Sequence, residues 1–249
     1  MTRTGHDTRR ESRCLLVNCQ RRCANSNCSA TIPSCQFRPS HLDIVDQFLL
    51  GLEGEVLRKL HDEERTPAEA HFLAAQSAMW IFAAYELLRT WTQRAKEFVK
   101  LADNSGFQSK LASLRTIDDG YRHYGREIRI QQLEDAAARP EVISRLRHQL
   151  RLLHMPFRML EHLRVAIAKH EVSGKSKDIT LFPGHGRINS RCGSLDYELE
   201  NGKYILCAMS RRDVADSIRS LDLDEAPPTA EEIKSFDVWL SGKGFELPR

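Results

Sequence analysis

The chain has no long hydrophobic run. Its longest, AMWIFAAY at residues 78–85, falls far short of the roughly 20 residues that a membrane-spanning helix needs, so no transmembrane segment is expected. The N-terminal MTRTGHDTRRESRCLLVNCQRRC holds nothing longer than CLLV that could act as the apolar part of a signal peptide, and the expected compartment is the cytoplasm. Aromatic residues are sparse at 7%. With 41% hydrophobic and 29% charged residues the composition is that of an ordinary globular chain and excludes a fibrous one. No Gly-rich phosphate loop, no His-Glu-x-x-His and no Gly-x-Ser-x-Gly occurs, which leaves nucleotide hydrolysis, zinc proteolysis and α/β-hydrolase chemistry without a motif.

Cysteine is present but badly spaced for metal. Five of the seven, Cys14, Cys19, Cys23, Cys28 and Cys35, crowd into one polar stretch rich in Arg, Ser and Asn. Structural zinc sites use close pairs with two to four residues between them, and the gaps here are four, three, four and six, so a pair such as Cys19 and Cys23 is only marginally compatible and no clean motif emerges. Residues 1–39 therefore read as a disordered tail, with a small zinc knuckle as the alternative, and no metal or cofactor is expected. Cys192 and Cys207 read as small buried hydrophobes.

The net charge of +3 is unevenly spread. Residues 1–40 carry seven Arg against Asp7 and Glu11, so the body of the chain is slightly acidic and is no general nucleic-acid binder. One stretch differs. From Ile143 to Lys177 there are eight cations, Arg145, Arg147, Arg151, Arg158, Arg164, Lys169, Lys175 and Lys177, against Glu161 and Glu171. Such a stretch either attracts phosphates or forms a solvated face whose arginines pair with acidic neighbours.

Helical periodicity begins with SHLDIVDQFLLGLEGEVLRKL after Ser40. In TPAE, residues 66–69, Thr66 as cap, Pro67 in the first turn and Glu69 reaching back predict a capping box that opens a long helix to about Leu101. Its content of Ala, Trp80, Phe82, Tyr85, Leu88 and Trp91 suits the spine of a bundle. Residues 109–137, 140–154 and about 156–171 continue the helical pattern, with Pro140 and Pro156 near two helix starts.

After Gly174 the period changes to two. DITLFP and SLDYELENGKYILCAMS, the latter around an Asn-Gly turn, predict two or three strands. SRRDVADSIRSL, with Ser210 as cap, returns to helix, and DEAPPTAEE reads as a linker to a last helix starting near Thr229. PGHGRINS at 183–190, with His185, reads as a turn. The expected fold is mainly α: an antiparallel four- or five-helix bundle over 40–175, a β-hairpin plus helix over 176–223 packed on it, and a linker with a short helix over 224–249.

One letter in HLRVAIAKHEVSGK, residues 162–175, is out of place. At about 100° per residue, setting Leu153 to 0° puts Phe157 at roughly 40°, Leu160 at roughly 340°, Ile167 at roughly 320° and Arg164 at roughly 20°. Arg164 thus lies inside the apolar stripe, where an unpaired cation costs several kcal/mol. It requires a carboxylate such as Glu161, Glu171 or Glu86, or else an anion or a partner chain. By the same angles His162 projects opposite the stripe and reads as solvated, and His154 as a helix-end residue.

Arg164 and His170, five residues between them, stand at the end of the last bundle helix just before a glycine exit, and the segment reads LRVAIAKH. This resembles the HEPN superfamily, helical bundles with an Arg, four to six residues and a His at this place, often LRNxxAH. The likeness spans about residues 40–175, with Val165 where many members have a polar residue. The resemblance implies a metal-independent endoribonuclease of toxin or defence type, in which His170 moves protons and Arg164 stabilises the charge that develops as a 2′-hydroxyl attacks the neighbouring phosphate. Arg158, Lys169 and Lys175 flank the motif as the expected nucleic-acid contacts. Six residues turn a helix by about 600° and rise about 9 Å, so one helix cannot aim both side chains at one atom. In the family a second protomer completes the site. The expected partners are therefore a second copy of the chain, RNA, and a cognate antitoxin or other protein. Some members only bind or dimerise, which is the alternative reading.

Overall fold

The architecture is that of a computed structural model, which describes residues 38–169, 171–172, 175–179, 186–201 and 204–242. The Cys-rich tail, His170 and the PGH part of the glycine turn lie outside the described residues.

Eight helices are described: α1 (Arg38–Glu63), α2 (Glu69–Asp103), α3 (Phe107–Arg115), α4 (Tyr124–Ala138), α5 (Pro140–Leu152), α6 (His154–Lys169), α7 (Arg211–Ser220) and α8 (Ala230–Ser241). Between α6 and α7 come β1 (Glu171–Val172) and β2 (Lys175–Ile179), an antiparallel pair, then β3 (Arg187–Ile188), β4 (Leu195–Glu200) and β5 (Ile205–Ser210), an antiparallel sheet in the order β3-β4-β5. No helix among the described residues is long and apolar enough to cross a membrane.

The spine is α2, 35 residues long, or about 52 Å at the usual rise. That length lets it serve two cores. Its first half, through Leu73, Trp80, Ile81, Ala84, Tyr85 and Leu88, meets α1, α6, the inward face of β4 and α7 in one cluster. Its second half, through Ala95 and Phe98, meets Leu111 of α3, Leu133 and Ala136 of α4, and Val142, Ile143 and Leu146 of α5 in another. The sheet and α7 are therefore part of the bundle's own core. Leu195, Tyr197 and Leu199 alternate inward along β4 as the period-two pattern requires.

Local signals account for half of the helix starts. Ser210 and Thr229 each form a complete capping box, with Asp213 and Glu232 respectively. Pro140 opens α5 in the first turn, where its missing N–H removes nothing. Two expectations fail. The TPAE box does not form: α2 starts at Glu69 with Ala68 at its N-cap and no side-chain cap, and the Glu69 carboxylate is held instead by Lys59 of α1. An ion pair between the two helices outcompetes the local cap. The single helix expected over 109–137 is two, because Asp118-Asp119-Gly120 turns the chain: Gly120 takes φ +69° and donates its N–H to Asp118 Oδ1 at 2.9 Å.

The turn between β3 and β4 fixes the sheet against α1. Gly193 has φ +75°, and a Cβ there would overlap the Glu53 carbonyl of α1. Only glycine satisfies both demands.

Candidate functional site

Arg164 lies in the last third of α6, on the face turned to α2, as the angles predict. Its Cζ stands 5.0 Å from the centroid of the Tyr85 ring, within cation–π range. Phe157, two turns earlier on α6, stacks on the same ring at 5.7 Å with the planes 4° apart. Glu161 and Glu86, two of the three carboxylates expected to answer Arg164, are held by other arginines, and the side chain of the third, Glu171, lies outside the described residues. Glu161 pairs with Arg158 and accepts from the Tyr85 hydroxyl at 3.5 Å, and Glu86 pairs with Arg89 at 2.7 Å. Among the described residues Arg164 forms no ion pair, and the half-buried guanidinium rests on an aromatic face. Burial, reinforced by the Glu161 charge, pushes the Tyr85 hydroxyl above its ordinary pKa.

The other motif residues are placed unevenly. His170 lies outside the described residues. Lys169 ends α6 and Lys175 opens β2, and only their backbones are described. Arg158 is committed to Glu161 and stands 3.7 Å from Asp237 of α8. Arg147 pairs with Asp103, and Arg151 donates to the Pro228 carbonyl at 2.6 Å. The cation-rich stretch is thus partly neutralised by its own fold.

The histidines of this region act as clasps. His162, expected in solvent, is buried, and its Nε2 donates to the Glu200 carbonyl at 2.7 Å. The correction has a simple cause: α6 is covered on two sides, by α2 on the stripe and by β4 opposite it. His148 donates to the Leu223 carbonyl at 3.0 Å, and His154 Nε2 lies 3.0 Å from Asp237 Oδ1. Together they tie α5 and α6 to the C-terminal segments. Cys192 and Cys207 are half-buried free thiols, and burial raises the pKa of Cys207. Among the described residues no group of three or more His, Cys, Asp or Glu side chains is placed to hold a metal.

Two features escaped the sequence reading. The first is a buried ion cluster. Arg211, 1% exposed, donates to Glu53 at 2.7 Å, pairs with Asp46 and lies over the Trp80 ring at 5.5 Å. Arg212 shares Glu53 and Arg219 shares Asp46. Its signal was present: Asp46 and Glu53 sit seven residues apart among Leu49, Leu52 and Val56, on the buried face of α1. The crevice beside the cluster, about 20 Å³ and edged by Asp46, Trp80 and Arg219, holds no more than about one water. The cluster is a clamp between α1 and α7, with no room for a ligand.

The second is an apolar strip. Ile44 (67% exposed) and Phe48 (56%) on α1 lie beside Phe72 (49%) and Met79 (63%) on α2. Phe48 and Phe72 meet edge to face at 6.4 Å, so the strip is continuous across the two helices. Its signal was the extra apolar row at Ile44, Phe48 and Gly51, outside the arc that the core uses. The chain matches no protein-family model, no curated protein and no solved structure.

Proposed function

We propose that the protein is a helical interaction module, an HEPN-like bundle that pairs with a second copy of itself through the strip on α1 and α2. The strip itself carries this reading. Monomeric proteins rarely leave contiguous apolar patches above a few hundred Å² uncovered, and the two half-exposed phenylalanines alone present on the order of 200 Å².

Two observations favour a copy of this chain over a charged partner. Gln47, Ala75 and Gln76 flank the two rings without charge, and the nearby carboxylates Glu55 and Glu69 are both paired with Lys59, so like surfaces meet with little repulsion and a nucleic acid gains little there. Gly51, beside Phe48 in the middle of α1, has nothing within 4 Å of where a Cβ would stand. Its own fold does not need a glycine that costs about 0.5–1 kcal/mol in a helix, whereas a closely packed outside helix does. Two antiparallel helices also present a self-complementary face under a two-fold axis.

Sedimentation of wild type and Phe48→Glu tests this. Wild type is expected to be a dimer at tens of micromolar and the variant a folded monomer. A wild-type monomer, or a variant that stays dimeric, overturns the reading.

Arg164 supports a second reading, the metal-independent ribonuclease. A guanidinium on an aromatic face, with no ion pair among the described residues, keeps its charge available to a phosphate. His170 would then transfer the protons. Cleavage of mixed single-stranded RNA in EDTA should fall about a hundredfold or more in His170→Ala. No cleavage by wild type leaves the interaction module alone.

A further inference from the structure

An open cleft of about 670 Å³ lies between the second half of α2, the loop at 116–123 and the start of α4, far along the spine from the apolar strip. Its volume is in the range of small-molecule sites. Three arginines line it. Two are neutralised locally: Arg126 pairs with Asp119 at 2.7 Å, and Arg129 pairs with Glu97 at 2.6 Å while lying over the Phe98 ring. The third, Arg94 of α2, is half-buried and forms no ion pair among the described residues. The lining is left with one excess positive charge.

An aromatic platform stands in the same cleft. Tyr121 is 69% exposed and lies nearly parallel to His123, the ring centroids 6.1 Å apart and the planes at 20°. An exposed ring of this size has no part in the core, and Ile117, also exposed, adds apolar surface in the same cleft. His123 is held in place because its Nδ1 accepts the Arg126 N–H at 3.2 Å as the cap of α4. That leaves Nε2 as the ring's donor. The cleft therefore combines one unneutralised guanidinium, a fixed imidazole donor and a stacking surface.

We infer that this cleft binds a nucleoside monophosphate unit, with the phosphate on Arg94 and the base on the Tyr121–His123 platform. A bare anion would use the guanidinium and leave the rings idle. A nucleobase fills them, since every base offers a face for stacking. The unit is supplied either by a free nucleotide or by single-stranded RNA, and its binding does not rest on the dimer reading.

The test is calorimetric titration of the full chain with AMP, UMP, inorganic phosphate and an eight-residue oligouridylate. Both nucleotides are expected to bind at least tenfold more tightly than phosphate. Tyr121→Ala should weaken nucleotide binding by about tenfold while Tyr121→Phe preserves it, as expected for base stacking. Arg94→Gln should weaken nucleotide and phosphate binding alike. Circular dichroism identical to wild type establishes that these surface variants are folded. An oligonucleotide that binds tenfold tighter than UMP and loses that gain in Arg94→Gln identifies RNA as the source, and equal affinity identifies the free nucleotide. Failure of both nucleotide and oligonucleotide to bind at millimolar concentration overturns the inference. Phosphate binding as tight as that of AMP overturns it equally, as does unchanged binding in Tyr121→Ala and Arg94→Gln.

Discussion

The Arg164 guanidinium lies over the Tyr85 ring, 5.0 Å from its centroid, and Phe157 stacks on that ring as well. Among the described residues, a cation on an apolar helical face thus rests on an aromatic quadrupole and not on a carboxylate. Partly desolvated contacts of this kind contribute about 0.5–2 kcal/mol. Arg164→Met, which keeps the stem and removes the charge, is expected to lower unfolding free energy by about that amount in urea titration. Tyr85→Phe should keep the ring and cost less than Tyr85→Leu. Equal losses from the two tyrosine variants would show that the ring face does not hold the arginine.

Disrupting the Asp46–Arg211–Glu53 cluster should cost more. Removing one member of a buried ion pair typically costs about 3–5 kcal/mol when its partner is left uncompensated. Here Arg211 keeps Asp46 when Glu53 is removed, and Glu53 and Asp46 keep Arg212 and Arg219 when Arg211 is removed, so Glu53→Ala and Arg211→Met are each expected at or below the low end of that range. The double variant should lose clearly less than the sum, because the Glu53–Arg211 contact is lost in either single variant and is lost only once in the double. Denaturant melts of the four proteins measure this, and strict additivity would show that the two residues do not act as a pair.

Alkaline stability should report on Tyr197. Burial beneath the sheet pushes its hydroxyl from the ordinary value of 10.0 to about 12. The folded state therefore holds this proton more tightly than the unfolded state. Its contribution is fully present below about pH 10 and is lost as the pH rises towards 12, about 2–3 kcal/mol in all. Tyr197→Phe should flatten the fall in unfolding free energy between about pH 9 and 11 that wild type displays. An unchanged slope would place the alkaline transition on other groups.

How much of this was legible beforehand follows the range of the forces. Ser210 and Thr229 cap their helices through atoms three residues away, and β4 and β5 pair on either side of the Asn-Gly signal, so local sequence sufficed. Arg164 was found on the inner face by angle alone. Its partner was not, because Glu86 and Glu161 were each captured by an arginine three residues away. The cap expected at Thr66 gave way to Lys59, ten residues from Glu69. The Asp46–Arg211 pair spans 165 positions and the Phe48–Phe72 contact crosses two helices. Such relationships exist only once the elements are packed, although the one-sided placement of Asp46, Glu53, Ile44 and Phe48 on α1 was open to the angle test that found Arg164.

His162 gives the sharpest check on the second covered face of α6. Its Nε2 reaches the Glu200 carbonyl at 2.7 Å from a side chain only 4% exposed, at the junction of helix and sheet. His162→Phe preserves most of the volume but removes the donor, leaving the carbonyl without that bond in a buried place. The expected cost is about 1–3 kcal/mol, the range for removing one partner of a buried hydrogen bond. Hydrogen exchange separates this from a general loss of packing. The amides of β4 and β5 should exchange faster in the variant while those of α4 and α5, which belong to the other core, keep their protection. Uniform deprotection of both cores, or no change in either, would show that His162 does not specifically anchor the sheet.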